Sequence, residues 1–357
     1  MPPTRRSLLQ LLASTAVFWP AGEAFATPAP TPSTSAKPNA ATKRGYITFV
    51  INVHEWGHVD ESAAILDDLC ALYTAHGVKG DFYVTSVMAD KLAASHPDTV
   101  TAMKAHGISY HVRPPQPLYE GFDSAFKALS GDALISAVRD FETYGQSLAT
   151  GEIDRSRSGG YTRVKEVFGK APCAVSAQNS NQTIVAAAAS VWKAMGARMI
   201  LAFHEGQSDP DNPLVQKDGL LVRPSHFKLT HVDAAEKVFW WNAVSAGQGG
   251  DPTEALKAQL DAWNHPKLPY AAALIHENNF YRAGPESWTS IYYADKTKTV
   301  VQAPPYDLTA TEWGKARDSA SKEAIWSAYS ALVAYCAENL NVVTSEDIVA
   351  LAGTSAG

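Results

Sequence analysis

The fold of this chain is decided by three apolar runs that end in the same dipeptide, His-Glu. They are Phe49-Val50-Ile51-Asn52-Val53-His54-Glu55, Met199-Ile200-Leu201-Ala202-Phe203-His204-Glu205 and Ala271-Ala272-Ala273-Leu274-Ile275-His276-Glu277. A fourth run, Ile108-Ser109-Tyr110-His111, ends in His alone. Each run has the length and composition of a buried strand. Because the carboxyl ends of parallel strands meet at one mouth, we expect these polar ends to converge there.

Imidazole and carboxylate groups at one mouth are the ligands that a divalent metal ion and its attacking water require. The pattern therefore predicts a metal-dependent hydrolase.

The composition of the chain excludes few functions. Of the 357 residues, 46% are hydrophobic, and the net charge of -6 gives no sign of nucleic-acid binding. The three cysteines have no metal-binding spacing, and their odd number argues against a disulfide framework.

The N-terminus has the features of an export signal. Arg5-Arg6 precedes an apolar stretch from Leu8 to Trp19, which ends near the small-residue site Ala24-Phe25-Ala26. The stretch is too short to span a bilayer, and the paired arginines favour a twin-arginine signal over an ordinary Sec signal. We expect a signal peptide over 1–26, a Pro/Ala/Thr-rich linker over 27–44 and a single catalytic domain over 45–352. The protein would be periplasmic or secreted in a bacterium, with no integral membrane span.

Beyond the linker, strand patterns alternate with helical patterns. The predicted strands cover 46–53, 81–87, 108–112, 172–176, 198–203, 219–223, 238–243, the run ending at His276, and 341–344. The predicted helices cover 60–77, 98–106, 134–148, 182–195, 252–263 and 322–339. Residues 151–163 are predicted to form a loop, and 278–321 an irregular, aromatic-rich excursion. This alternation predicts an α/β fold with seven or eight strand–helix units around a mainly parallel sheet.

Several short motifs carry a family resemblance. They are Val53-His54-Glu55-Trp56, Lys79-Gly80-Asp81-Phe82-Tyr83, His106-Gly107-Ile108-Ser109-Tyr110-His111, Ile275-His276-Glu277-Asn278 and Val342-Val343-Thr344-Ser345-Glu346-Asp347-Ile348. In this order, over roughly residues 45–350, they resemble the polysaccharide deacetylase superfamily of NodB-homology domains and carbohydrate esterase family 4. The resemblance implies a distorted (β/α)7–8 barrel of mainly parallel strands, of the type found in deacetylases and glycoside hydrolases.

The resemblance also implies a ligand set for the metal. In the family, an Asp of the first motif and two His hold the ion. Here Glu55 stands in place of that Asp, and His111 in place of the first His. The second His falls at Pro115, so a third ligand has to come from elsewhere, and His204 is the candidate.

The expected catalytic residues are His54, His276, Glu205 and Arg113. His54 falls where the family has its base, and it is expected to act either as general base or as a metal ligand. His276 falls where the family has the acid that protonates the leaving group. Glu205, at a strand end, is an alternative base or ligand. The guanidinium of Arg113 could clamp a substrate anion or a transition-state oxyanion, or it could pair with an acid to fix the turn. The expected substrate-binding residues are Glu277, Asn278, Asn52 and Trp288.

The sequence is compatible with three functions. The first is an exported hydrolase that uses one divalent metal ion, expected to be zinc, to remove acyl groups from a poly- or oligosaccharide. The second is a glycoside hydrolase on a related barrel, with two carboxylates drawn from Glu55, Glu205 and Glu277. The third is a carbohydrate-binding protein that kept the barrel and lost the metal. The replacement of the family's second His by Pro115 supports this alternative.

Overall fold

A computed structural model describes residues 42–201, 208–229, 231–233, 238–239, 250–311 and 313–354. The predicted export signal, most of the predicted linker, and the predicted site residues His204 and Glu205 lie outside these ranges. Within them, no helix combines the length and the apolar character that a bilayer crossing needs. The thiols of Cys70, Cys173 and Cys336 are free and buried.

The chain forms sixteen strands and eleven α-helices within the described residues. The strands are β1 (Tyr46–Val53), β2 (Asp81–Val84), β3 (Gly107–His111), β4 (Tyr144–Gln146), β5 (Ile153–Ser158), β6 (Ala174–Ser176), β7 (Met199–Leu201), β8 (Gln216–Lys217), β9 (Leu220–Val222), β10 (Phe227–Leu229), β11 (His231–Asp233), β12 (Val238–Phe239), β13 (Tyr270–His276), β14 (Arg282–Ala283), β15 (Lys315–Ala316) and β16 (Asn341–Val342). The helices are α1 (Val59–Ala75), α2 (Ser86–Ser95), α3 (Pro97–Met103), α4 (Ser124–Lys127), α5 (Gly131–Thr143), α6 (Gly160–Phe168), α7 (Gln182–Met195), α8 (Pro252–Ala262), α9 (Thr289–Tyr292), α10 (Ser319–Asn339) and α11 (Ser345–Thr354). Trp56–His58 and Glu277–Phe280 form short 3-10 helices.

The main sheet confirms the predicted α/β class. Its strand order is β10-β13-β1-β2-β3-β6-β7-β9-β8, with β16 paired to the start of β1. Every pair is parallel except β8 with β9. Within the described residues the sheet is curled and open between β8 and β10, so it is half of a distorted barrel with helices around it.

Strand β1 lies at the centre of this arrangement because it is apolar on both faces. Seven of its eight residues are buried, as expected for a strand covered on both sides. The register sets Asn52 opposite His276, and Val53 opposite Val84, which in turn pairs with Tyr110. The strands β13, β1, β2 and β3 therefore end at nearly the same level, which places the residues that follow them at one edge.

Three predicted elements are wrong. The strand predicted over 81–87 ends at Val84, because the hydroxyl of Thr85 accepts the backbone N–H of Met88 and caps α2. Residues 151–163 are not a loop: Ile153–Ser158 form β5, which pairs antiparallel with β4, and α6 begins at Gly160. The helix predicted over 134–148 ends at Thr143, because Tyr144–Gln146 pair with β5 instead. The charged residues of β5 pair with each other and with neighbouring acids on the surface, so this hairpin has no apolar periodicity to reveal it. The described part of the strand predicted over 238–243 pairs with β11, away from the main sheet.

Candidate metal centre

Three imidazoles meet at the carboxyl ends of β1, β3 and β13. The ring centroids of His54 and His276 are 4.6 Å apart, and those of His54 and His111 are 5.6 Å apart. All three side chains are buried. The strand-end histidines, which are distant in sequence, thus share one interior space, as the parallel register requires.

A carboxylate joins them from a loop. Oε1 of Glu286 lies 3.3 Å from Nδ1 of His276. One ligand atom each from His54, His276 and Glu286 lie within 4.8 Å of one another, and all three residues are buried. Two imidazoles and a carboxylate are the ligand types of catalytic zinc sites, which keep one position open. This group could therefore hold a divalent cation.

The indole of Trp288 orients His54. Its Nε1–H donates to Nδ1 of His54 at 3.2 Å, while Nε2 of His54 has no hydrogen-bond partner among the described residues. The two ring nitrogens of His111 are likewise buried without a partner in the described part of the chain. Orphaned buried nitrogens of this kind fit a site that receives a ligand. A cation on Nε2 of His54 would need the ring proton on Nδ1 and would end the bond from Trp288.

Burial sets the charge of the histidines. It holds the pKa of His54 and of His111 well below the usual range, and the positive charge on Arg113 acts in the same direction. Burial also lowers the pKa of His276, against the opposing effect of Glu286. The three rings are therefore neutral at neutral pH, which is the form that binds metal.

Glu286 is ionised although it is buried. Burial alone would raise its pKa, but the ammonium of Lys298 and the hydrogen bond with His276 outweigh it and hold the pKa well below the usual range. Nζ of Lys298 lies 2.9 Å from Oε2 of Glu286. The cluster thus combines neutral imidazoles with one carboxylate, as a cation requires.

The two described glutamates of the His-Glu dipeptides, Glu55 and Glu277, have other contacts. Oε1 of Glu277 accepts the backbone N–H groups of His54, at 2.7 Å, and Glu55, at 2.6 Å. The carboxylate of Glu55 accepts the backbone N–H of Ser287 at 2.8 Å and also the Ser287 hydroxyl. Burial raises the pKa of Glu55 to about 7 and that of Glu277 to about 8. Both carboxyl groups therefore tie the end of β1 to the segment that follows β13.

The observed cluster differs from the predicted ligand set of Glu55, His111 and His204. Among the described residues, Glu55 is not part of the mutually close group, and Glu286 supplies the carboxylate instead. His111 lies beside the group rather than in it. His204 lies outside the described residues, so its predicted role stays a prediction. The predicted catalytic residues His54 and His276 are both members of the group.

The predicted substrate-binding residues lie in the interior. Asn52, Glu277, Asn278 and Trp288 are each at most 2% exposed. Oδ1 of Asn52 and of Asn278 have no hydrogen-bond partner among the described residues. Their burial leaves them no open surface for a sugar ring in this structure, so their predicted role stays a prediction.

Arg113 stands at the border of the site. Its guanidinium carbon lies 5.6 Å from the ring centroid of Tyr119 and 5.9 Å from that of Trp288. Nη1 makes a long contact of 3.4 Å with the carbonyl of Val112. The side chain also lines a small cavity of about 40 Å³, which His111 borders as well.

Sequence reasoning missed Glu286 and Lys298. Neither follows a strand of the main sheet; both lie in the excursion over 278–321. The only local signal is the turn dipeptide Gly284-Pro285 directly before Glu286, ten positions after His276. Such a dipeptide predicts a turn but not that the next residue faces a histidine cluster.

Comparison with known proteins gives structural likenesses only. No protein-family model and no curated protein matches the chain. Among solved structures, a Mycobacterium smegmatis protein assigned provisionally as a polysaccharide deacetylase matches with 12% identity and a TM-score of 0.46, over 91% of this chain and 95% of that one. The PuuE allantoinase matches with 13% identity and a TM-score of 0.46, over 90% and 97%. A peptidoglycan deacetylase from Bacillus subtilis matches with 8% identity and a TM-score of 0.37, over 88% and 94%.

Proposed function

We propose that this chain is a metal-dependent hydrolase that removes an acyl group from a carbohydrate, with His54, His276 and Glu286 as the residues that hold a divalent cation. The observation that carries the proposal is the convergence of these three buried side chains within 4.8 Å. Nitrogen and carboxylate ligands in this number favour zinc. A bound cation would supply Lewis-acid polarisation of the acyl carbonyl and activation of water.

His111 is the residue that moves the proton. Its ring is neutral, lies next to His54, and has two nitrogens without partners among the described residues. One ring nitrogen accepts a proton as water attacks the acyl carbonyl, and the same nitrogen returns it to the departing amine or alcohol. Because burial, and after it the positive charge of Arg113, keeps the pKa of His111 well below the usual range, the protonated ring gives up this proton readily.

Two features of the sequence support the remaining parts of the proposal. The order of motifs that resembles the polysaccharide deacetylase superfamily supports an acylated poly- or oligosaccharide as the substrate. The twin-arginine-like N-terminus supports export to the periplasm or the exterior of a bacterial cell.

A glycoside hydrolase is less well supported by the described residues. That chemistry needs two carboxyl groups free to face a sugar on either side of the bond. The carboxylate of Glu55 accepts hydrogen bonds from Ser287, and Oε1 of Glu277 accepts hydrogen bonds from two backbone N–H groups. These contacts give both residues a structural role at the end of β1.

The test combines metal analysis with product release. Purified protein is loaded with zinc, dialysed and analysed by mass spectrometry, and acetate release is measured from acetylated chito-oligosaccharide and acetylated xylan. We expect one zinc per chain in the wild type, and loss of both zinc and acetate release in Glu286→Gln. The exposed Glu323→Gln variant is the matched control and should behave as the wild type.

His111→Gln separates the proton role from metal binding. It should keep zinc and lose acetate release by about 10²- to 10⁴-fold. A wild-type protein that holds no zinc, or a Glu286→Gln variant that keeps both zinc and activity, would overturn the proposal.

A further inference from the structure

Arg113 is a partly buried cation without a carboxylate partner among the described residues. No ion pair involves its guanidinium within the described ranges, and its Nε is buried without a hydrogen bond there. The only described hydrogen bond of the guanidinium is the long one to the carbonyl of Val112. A guanidinium removed from water loses hydration energy that an anion normally restores. A cation in this state is suited to receive an anion from outside the chain.

Near Trp288, the described residues carry more positive than negative charge, and the excess is on Arg113. Lys298 and Arg113 both lie near the indole, at 4.9 and 5.9 Å from its centroid. Lys298 is paired with Glu286, at 2.9 Å. The oxygens of Glu55 are bonded by Ser287. Within the described part of the site, the positive charge of Arg113 is therefore not balanced.

The guanidinium is also held in place and has space beside it. The rings of Tyr119 and Trp288 both lie within 6 Å of its carbon, so it is fixed by aromatic contacts that leave its N–H groups available. The cavity of about 40 Å³ that it lines with His111 also has polar walls from Thr85, Ser86 and Gln116. This space is small and adjoins the residue that we propose to move the proton.

We propose that Arg113 binds a carboxylate of the substrate, so that the carbohydrate acted on carries a sugar acid next to its acyl group. A planar fork of N–H donors matches a carboxylate by two parallel hydrogen bonds. The position of the carboxylate next to the acyl group rests on the proposed function, whereas anion binding at Arg113 does not depend on a metal.

Binding is tested with D-glucuronate and its neutral methyl ester, by calorimetry on chelator-treated full-length protein. We expect the wild type to bind glucuronate at least tenfold more tightly than the ester. Arg113→Met should reduce the affinity for glucuronate by about tenfold or more, and Arg113→Lys by less. Arg155→Met is the matched control, because Arg155 is paired with Asp140 and does not line this cavity; it should bind glucuronate as the wild type does.

Three results would overturn the inference: equal affinity for glucuronate and the ester, an unchanged affinity in Arg113→Met, or tighter binding of glucose 6-phosphate than of glucuronate. Thermal melting confirms that each variant is folded. Failure of the proposed function gives a different result, since glucuronate would then bind to wild type that releases no acetate. If zinc and acetate release are present but the ester binds as well as glucuronate, the function stands and the carboxylate site fails.

Discussion

Nε1 of Trp288 lies 3.2 Å from Nδ1 of His54. An indole N–H can only donate, so this contact keeps the lone pair on Nδ1 and the ring proton on Nε2. A cation on either nitrogen of His54 competes with this arrangement. We therefore expect Trp288→Phe, which removes the N–H and keeps an aromatic ring, to raise the affinity for zinc by about three- to tenfold.

The measurement is a zinc titration in competition with a chromophoric chelator. Trp288 is fully buried, so the smaller ring also costs packing energy, and a melting curve without zinc records that loss separately. Trp326→Phe, in a partly buried tryptophan packed on Phe280, is the control for the exchange itself. A lower zinc affinity in a well-folded Trp288→Phe variant would show that the indole supports His54 as a ligand rather than competing for it.

Glu277 is expected to be structural, and two substitutions separate this role from a catalytic one. Glu277→Gln keeps an oxygen that can accept the N–H groups of His54 and Glu55. It also keeps the charge nearly unchanged, because burial raises the pKa of Glu277 to about 8 and the group is mostly protonated at pH 7. Zinc binding and acetate release should therefore stay within about threefold of the wild type.

Glu277→Ala removes the acceptor and leaves two buried N–H groups unpaired. We expect it to lower the free energy of unfolding by about 2 kcal/mol or more and to weaken zinc binding, since His54 loses its support. Urea unfolding and the zinc titration measure the two effects. Loss of activity in a folded, zinc-loaded Glu277→Gln variant would instead support the glycoside hydrolase alternative.

The strand framework could be predicted from the sequence because its signals are local. The run that forms β1 is apolar at nearly every position, and its predicted bounds of 46–53 agree with the structure. Parallel pairing then requires that the carboxyl ends of β1 and β13 lie side by side. For this reason the sequence alone could place His54 and His276 close together. The same reasoning predicted the convergence of His111.

Glu286 could not be predicted in the same way. Its position depends on how the excursion over 278–321 packs, and this is fixed by long-range contacts such as the bond from Ser287 to Glu55. No periodicity of the segment encodes such contacts. The hairpin of β4 and β5 was missed for a related reason. Its charged residues have the composition of a loop, and the acids on other elements that pair with them cannot be identified from the local sequence.

We expect the buried residue His106 to make the stability of the fold depend on pH. It is 4% exposed, packs against the rings of Tyr73 and Phe82, and neither ring nitrogen has a partner among the described residues. Burial lowers its pKa to about 4, with smaller contributions in the same direction from Lys79 and Lys170. The unfolded chain has the ordinary value of about 6.5.

Between these two values the unfolded chain binds more protons at this residue than the folded one, so the contribution of His106 to stability is fully present above about pH 6.5 and is lost as the pH falls toward 4. His106→Phe removes the titrating group and two unpaired polar atoms. We expect it to reduce the dependence of the urea midpoint on pH between 4 and 6.5, while the part due to the buried His54, His111 and His276 remains. His76→Phe, at an exposed position, should leave the dependence unchanged. A pH profile of His106→Phe with the wild-type slope would contradict this account.

The last prediction concerns Lys298, whose Nζ lies 2.9 Å from Oε2 of Glu286. Lys298 adopts a left-handed backbone conformation with φ of 60°. The loop around it is held by Asp295, which accepts the N–H groups of Thr299 and Val300. The chain thus accepts an uncommon conformation that brings the ammonium to Glu286.

Removal of this ammonium leaves the buried carboxylate of Glu286 with His276 and the Thr289 hydroxyl as described partners, but without the cation that pairs with it. Loss of one member of a buried pair costs about 3–5 kcal/mol, but the Lys298 side chain is 32% exposed, so we expect about 1–2 kcal/mol for Lys298→Met in zinc-free protein. With zinc the loss should be smaller, because a second cation then neutralises Glu286. Urea unfolding with and without zinc measures both values, Lys298→Arg should recover most of the loss, and the exposed Lys322→Met is the control. An equal loss in both conditions would mean that Lys298 acts through its packing on Trp288 and not through the charge of Glu286.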